Sequence, residues 1–270
     1  MRIAITGGRG FIGAATTAAA RAAGHTVNVF DRADGHDILG DLTTLEQADR
    51  VIHLAGVLGT SELFDAPDEA IEINIKGTVR VLEWCRRNKA GYVGVTLPDV
   101  FPSVYTITKT CADRFAQSWR YNFGLPVSIV RAFNVFGSGQ KYGPGHPRKF
   151  LPAFSVAAWR NEPIEIWGDG TQTMDVVSAD DLGRMLVDAT GHGDGVVFDA
   201  GCGVDISVND FAQFVIEVTG STAGVVHLPM RMGEIPSRIC ATGQGWERLS
   251  WRPKLDWDEV ADAIRSYKGR

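Results

Sequence analysis

A doubly wound α/β fold, with a parallel sheet and a smaller α/β domain beside it, is the architecture the 270-residue chain predicts. Three observations carry this. A short apolar strand at residues 2–6 runs into Gly7-Gly8-Arg9-Gly10-Phe11-Ile12-Gly13, and an alanine-rich stretch follows through Ala23. Strand patterns then alternate with helix patterns, the signature of parallel sheets with crossover helices. Tyr105 and Lys109 stand four apart in Tyr105-Thr106-Ile107-Thr108-Lys109, so on a helix they share one face.

The elements follow in order. Alanine favours the helix after the glycine loop, Gly24 ends it, and 25–30 is a second strand. Gly8, Gly10 and Gly13 fit G-x-G-x-x-G, while Gly7, Gly10 and Gly13 fit G-x-x-G-x-x-G. Between strand and helix, such glycines let backbone approach a pyrophosphate at a helix N-terminus. Asp31 ends the second strand, 18 residues after Gly13. A carboxylate there accepts hydrogen bonds from ribose hydroxyls and repels a 2′-phosphate, which favours NAD over NADP; Arg32 next to it pulls the other way. Residues 51–56, Val-Ile-His-Leu-Ala-Gly, form a third strand whose small end residues suit contact with a cofactor, and His53 within it reads as a packed core residue. Asn74 opens a helix running to about Asn88, and a further helix spans about 103–122. A buried strand lies near 127–131 and a Gly- and Pro-rich loop, a candidate lid, at 137–147. Then come a helix at 150–159, strands at 165–167 and 195–200, and a helix capped by Ser207.

Bulk properties narrow the function. A net charge of −5 argues against a general nucleic-acid binder. No apolar run approaches the ~20 residues of a membrane span, and the chain opens in a strand rather than a signal peptide, so a cytoplasmic protein is expected. Cys85, Cys111, Cys202 and Cys240 are scattered without a CxxC pair, which reads as free thiols rather than disulfides or a metal site.

Taken together, the motifs resemble the extended short-chain dehydrogenase/reductase family, specifically its nucleotide-sugar epimerases and dehydratases. The matching pieces are Thr6-Gly-Gly-Arg-Gly-Phe-Ile-Gly13, Gly40-Asp-Leu42, His53-Leu-Ala-Gly56, Asn74-Ile-Lys-Gly-Thr78 and Tyr105-x-x-x-Lys109. They continue with Arg131-Ala-Phe-Asn-Val-Phe-Gly137, Trp167-Gly-Asp-Gly-Thr-Gln-Thr173, Ala179-Asp-Asp181 and Arg231-Met-Gly-Glu234. The resemblance implies a Rossmann-type NAD domain over 1–134, completed by a segment returning near 174–202, and a substrate domain from 135–173 and 203–270. It implies that Gly7, Gly10, Phe11, Ile12 and Gly13 face the NAD diphosphate, Asp31 and Arg32 its ribose, and Asp41 and Leu42 its adenine. Leu54, Ala55 and Gly56 would lie along the cofactor. Tyr105 would be the acid/base, with Lys109 holding the nicotinamide ribose and lowering the phenol pKa. Asn134 and Arg231 would hold a nucleotide-diphosphate sugar. A homodimer through a four-helix interface would use the apolar stripes Ile71, Ile75, Val79, Leu82 and Val104, Ile107, Cys111, Phe115.

Three departures stand out. The family's Ser/Thr that binds the reacting hydroxyl falls in Val95-Thr-Leu-Pro-Asp-Val-Phe-Pro102. Ungapped matching puts Leu97 at that position, with Thr96 one residue early and therefore reversed on a strand; Thr96 and Ser103 are the candidate hydroxyls. Pro98-Asp99 replaces the dehydratases' Asp-Glu pair, which disfavours dehydration. Met174 stands where an arginine usually reaches the diphosphate, a loss of ~1.5–3 kcal/mol of charge-assisted bonding that Arg131, Arg148, Lys149 or Arg231 could offset. The stretches 31–41 and 96–105 are also short. The expectation is an NAD-dependent nucleotide-sugar epimerase working at C4 through a 4-keto sugar. Its rivals are a 4,6-dehydratase or 4-keto reductase, and a dinucleotide-binding sensor or scaffold without catalysis.

Overall fold

The computed structural model describes residues 1–45, 47–98 and 101–270. The chain runs β1 (Arg2–Thr6), α1 (Phe11–Ala22), β2 (Thr26–Phe30), β3 (Arg50–His53), α2 (Pro67–Ala70), α3 (Thr78–Asn88), β4 (Gly91–Thr96), α4 (Val104–Phe123) and β5 (Val127–Ala132). It continues through β6 (Asn134–Phe136), α5 (Phe150–Trp159), β7 (Ile164–Trp167), β8 (Thr173–Met174), β9 (Val176–Ser178), α6 (Ala179–Asp188) and β10 (Asp194–Ala200). It ends with β11 (Ile206–Ser207), α7 (Val208–Thr219), β12 (Val225–Leu228) and α8 (Trp257–Arg265).

Six parallel strands form the main sheet in the order β10-β5-β4-β3-β1-β2. Among the described residues of the short 31–49 stretch there are two 3-10 turns and no strand, and β2 is the edge of the sheet. The order of strand addition reverses about β1, with β2 on one side and β3 on the other, and ligands of such sheets bind at that switch point beyond the strands' carboxyl ends. Both faces are covered, which is why β1, β4 and β5 are almost continuously buried. One face packs Val51, Leu82, Cys85, Tyr92, Ala116 and Ile129 against α3 and α4. The other packs Ile3, Ile5, Val93, Val130, Leu182 and Phe198 around α1 and α6. At Gly183 a Cβ would come within 2.8 Å of the Ala15 and Thr16 main chain, so the two helices meet backbone to side chain-free backbone. A separate core, including Leu151, Phe154, Ile164, Phe211 and Tyr267, joins α5, α7 and α8 to β7.

Several expectations change. The third strand ends at His53, and Leu54 to Gly56 leave the sheet. The helix expected from Asn74 is interrupted: α2 passes into a π-helical stretch, Ile71–Gly77, before α3. The wide turn coincides with the Asn74 amide, which accepts from Val57 N at 2.9 Å and donates to Val57 O at 3.0 Å. Leu82, expected on the dimer stripe, is fully buried under the sheet.

A buried polar chain crosses this region. Thr6 Oγ1 lies 2.7 Å from His53 Nδ1, and His53 Nε2 lies 3.0 Å from Thr78 Oγ1. Thr78 Oγ1 donates to Asn74 O at 2.7 Å, and Asn74 Nδ2 donates to Thr108 Oγ1 on α4 at 3.1 Å. Because Thr78 donates onward, it accepts from His53, which assigns the ring proton to Nε2. Two buried aspartates close the far side. Asp175 accepts from the backbone N–H of Cys202, Gly203 and Ala241 at 2.7–2.9 Å. Asp199 accepts from Arg131 at 2.8 Å and from Thr242 N at 3.0 Å.

Burial, with the Lys109 charge nearby, holds His53 down to about 3 from an ordinary 6.5. The unfolded chain therefore binds the extra proton between those values. This contribution to stability is full above pH 6.5 and is lost as pH falls toward 3, at up to ~1.4 kcal/mol per pH unit. Between pH 6.5 and 5, the wild type should lose about 2 kcal/mol more unfolding free energy than His53→Gln, measured by urea titration. Equal losses would contradict a neutral, buried His53.

Candidate active site

The site is built from what leaves the carboxyl ends of the strands. Gly7 has φ +70°, and a Cβ there would fall 2.7 Å from Ala55 N; at Gly13 a Cβ would fall 2.1 Å from Gly7 O. The loop, the start of α1 and the exit of β3 thus touch through bare backbone. Gly10 is the N-cap of α1, so the next N–H groups lack intrahelical partners and point outward as anion donors. This cradle fits a dinucleotide pyrophosphate. Phe11, half-buried beside it, packs against Gly137, where a Cβ would meet the ring at 3.3 Å.

Asp31 sits beside the loop with both oxygens engaged: Oδ2 accepts from Arg9 N and Oδ1 from Ala33 N, each at 2.9 Å. The carboxylate fixes the loop's position relative to β2. Arg32, exposed, pairs with Asp37 at 3.7 Å, which reduces its pull toward a 2′-phosphate. Asp41 accepts from Thr43 N at 2.9 Å and Thr43 Oγ1 at 2.7 Å and caps its own turn. Leu42, expected at the adenine, is only 8% exposed and packs with Phe30 and Leu45 in the core. Leu54 and Ala55 are half-buried and Gly56 is exposed.

α4 carries Tyr105 and Lys109 in its first two turns. Ser103 is its N-cap: fully buried, its hydroxyl accepts from Thr106 N at 3.2 Å. That removes Ser103 as a substrate hydroxyl. Thr96 closes β4 and is 7% exposed, opposite Arg131. Alternation decides its direction. Tyr92 packs with Cys85 and Ala116 on the α3/α4 side, whereas Val93 packs with Leu182 on the other. Thr96, four after Tyr92, therefore points to the side of α4 and Tyr105. Asp99 and Val100, the dehydratase carboxylate and the matching anchor, lie outside the described residues.

Electrostatics correct one expectation. Burial pushes the Tyr105 phenol up to about 12, so within the protein alone Lys109 does not lower it. The same burial pulls Lys109 down to about 8, opposed by Asp113. The pair is placed as expected, but its environment stores a protonated phenol and a weakly held ammonium proton.

At the other end, Arg148 and Arg231 both lie against the Trp167 ring, 4.2 and 4.8 Å from its centroid. Arg231 also pairs with Glu234, and Arg148 with Glu165 at 2.9 Å. Lys149 heads α5 between Glu62, Arg231 and Glu234, and burial lowers its pKa. Asn134 begins β6, its amide donating to Asp175 O at 3.4 Å. Met174 is 6% exposed within the α5/α7/α8 core, so an arginine there would be buried rather than displayed. Of the candidate replacements, Arg131 drops out, since Asp199 and Gln244 hold it. Glu62 and the two buried aspartates had no sequence signal; Trp167 was visible only as part of a motif.

These features define an NAD-linked α/β protein with a Tyr-Lys centre, and the chain belongs to the NAD dependent epimerase/dehydratase family, whose model matches residues 3–201. It is 26% identical, over 96% of its length and 94% of the relative's, to the UDP-N-acetyl-alpha-D-glucosaminuronate decarboxylase of Bacillus cytotoxicus. It is 25% identical to the UDP-glucose 4-epimerase of Mycolicibacterium smegmatis, over 100% and 99% of the two chains. Among solved structures, the UDP-glucose 4-epimerase of Thermotoga maritima has a TM-score of 0.89 at 23% identity, covering 99% of both chains. The UDP-glucuronic acid 4-epimerase of Bacillus cereus, with UDP-glucuronic acid and NAD, has a TM-score of 0.88 at 23% identity and equal coverage. These structures establish the same fold.

A spectrophotometric titration tests the electrostatics. The phenolate difference between wild type and Tyr105→Phe should stay flat below about pH 11 without NAD and should move to lower pH when NAD is added. A Tyr105 transition near neutrality in the protein alone would contradict the burial argument.

Proposed function

We propose that the protein is an NAD-dependent epimerase of a nucleotide-linked sugar, acting at C4 through a 4-keto sugar. One observation carries this: Tyr105 and Lys109, one turn apart on α4, stand on the same side of the sheet as Thr96, at the edge where the glycine loop emerges. NAD, when bound, supplies the hydride acceptor and donor and a positive nicotinamide ring. The residues supply everything else. Gly7, Gly10, Phe11, Ile12 and Gly13 hold the pyrophosphate, and Asp31 the adenosine ribose. The Thr96 hydroxyl orients the reacting sugar hydroxyl. The Tyr105 oxygen accepts its proton on oxidation and returns it on reduction, and the Lys109 ammonium favours the phenolate when both face the cofactor. Arg231 and Lys149 meet the sugar's diphosphate in place of the arginine that Met174 replaces, and Asn134 contacts the sugar nucleotide.

Relatives that include a dTDP-glucose 4,6-dehydratase of Streptomyces antibioticus, 23% identical over 99% of this chain, make 4,6-dehydration the second reading, sharing the same first oxidation. Incubation with UDP-glucose, UDP-galactose, UDP-GlcNAc and UDP-GalNAc should interconvert one C4 pair. Tyr105→Phe should lower turnover by ~10²–10⁴ while NAD still binds. Release of a 4-keto-6-deoxy product would favour the second reading; no turnover of any sugar nucleotide with NAD bound would end both.

The enzyme also works as a homodimer in this reading, through the faces bearing Ile71, 48% exposed, and Ile107, 58% exposed. Light scattering should show twice the chain mass for wild type and a monomer for Ile107→Asp. A monomeric wild type would refute the pairing.

A further inference from the structure

Tyr105 and Lys109 are followed one turn later by a third polar residue of the same stripe. Asp113 is at i+8 from Tyr105, and steps of four drift only about 40° around a helix. Asp113 is not a solvated surface acid. It is half-buried, and its Oδ1 has no hydrogen-bond partner among the described residues. The groups around it are Lys109, Arg114 and Gln117 on α4, Arg131 on β5, and the Tyr92 phenol on β4. Gln117 is a hydrogen-bonding neighbour of the carboxylate, and Arg114 is the largest of the positive charges that favour its ionised form, ahead of Lys109; the others are committed or neutral. Arg131 belongs to Asp199, Arg114 is exposed, and Tyr92 is a buried neutral phenol. Lys109 faces neutral His53 on β3 and Asp113 along its own helix. A carboxylate oxygen without a partner and a half-buried amine thus lie one turn apart, behind the phenol that the proposed reaction uses.

We propose that Asp113 is a positioning residue for Lys109: its carboxylate is the counter-ion that keeps the Lys109 amine charged and drawn along α4 between Tyr105 and itself. The inference rests on the reading of Lys109 as a cofactor-contacting residue. The physics is mutual. Burial disfavours the charge on each group, and each restores the charge on the other. Without Asp113, burial alone acts on Lys109, the amine becomes neutral at lower pH, and the positive charge that favours the Tyr105 phenolate is lost within the working range.

Competitive acylation with acetic anhydride, read residue by residue by mass spectrometry across pH, reports the fraction of neutral amine at each lysine. In the wild type, Lys109 should titrate with a midpoint near pH 8. Asp113→Asn should lower that midpoint by at least one pH unit, and Asp113→Glu should restore it. The exposed Lys76 and Lys89 should be unchanged in all three proteins. Added NAD should slow labelling of Lys109; if it does not, while NAD binds, the reading of Lys109 as a cofactor contact fails independently. If Lys109 titrates identically in wild type and a folded Asp113→Asn, the counter-ion role is overturned. Should Asp113→Asn not fold, Asp113→Ser gives the same comparison, and a wild-type midpoint at the ordinary lysine value near 10.5 overturns the proposal without any variant.

Discussion

The hydrogen-bonded chain from Thr6 through His53, Thr78 and Asn74 to Thr108 is the constraint on which the site depends. Each member is buried, and a buried polar group left unpaired costs ~1–3 kcal/mol. The elements that carry them, β1, β3, the π-helical stretch, α3 and α4, therefore have little freedom to shift independently. β1 delivers the glycine loop, β3 delivers Leu54 to Gly56, α3 follows the π-helical turn, and α4 delivers Tyr105 and Lys109. Asn74 does two jobs at once, clamping the main chain at Val57 and bonding Thr108 one residue before Lys109. The distance between the glycine loop and α4 is thereby set by side-chain bonds rather than by loop length.

Burial on α4 gives the site its electrostatic character. It raises the phenol, lowers the ammonium, and leaves Asp113 as the neighbouring negative charge. Such a site holds its proton on the phenol until charge arrives from outside the protein. In the proposed reaction, this would tie proton transfer to ligand occupancy.

Around Trp167, the surroundings of Met174 decide where charge can be displayed. Met174 faces an apolar core and leaves no space for a displayed charge, while Arg148, Lys149 and Arg231 gather near Trp167. The positive side chains sit at the start of α5 and in the segment after β12. Asp175, between β8 and β9, holds the backbone N–H groups of Cys202, Gly203 and Ala241, and Asp199, on β10, holds those of Thr242 and Gln244.

The glycine spacing, the strand–helix alternation, the Tyr-Lys spacing and the caps at Ser207 and Gly24 were legible in the chain because each is a local pattern, complete within a few residues. Family membership was legible for the same reason, through short motifs in a fixed order. The facing of Thr96 toward α4, the burial of Leu82 and Leu42, the capping role of Ser103, the commitment of Arg131 to Asp199, and the upward push on Tyr105 were decided only by tertiary structure. Each depends on a partner far along the chain or on the water excluded by several elements together. Local periodicity fixes which residues share a face, but which face becomes buried, and what that burial does to a charge, is a property of the assembled core.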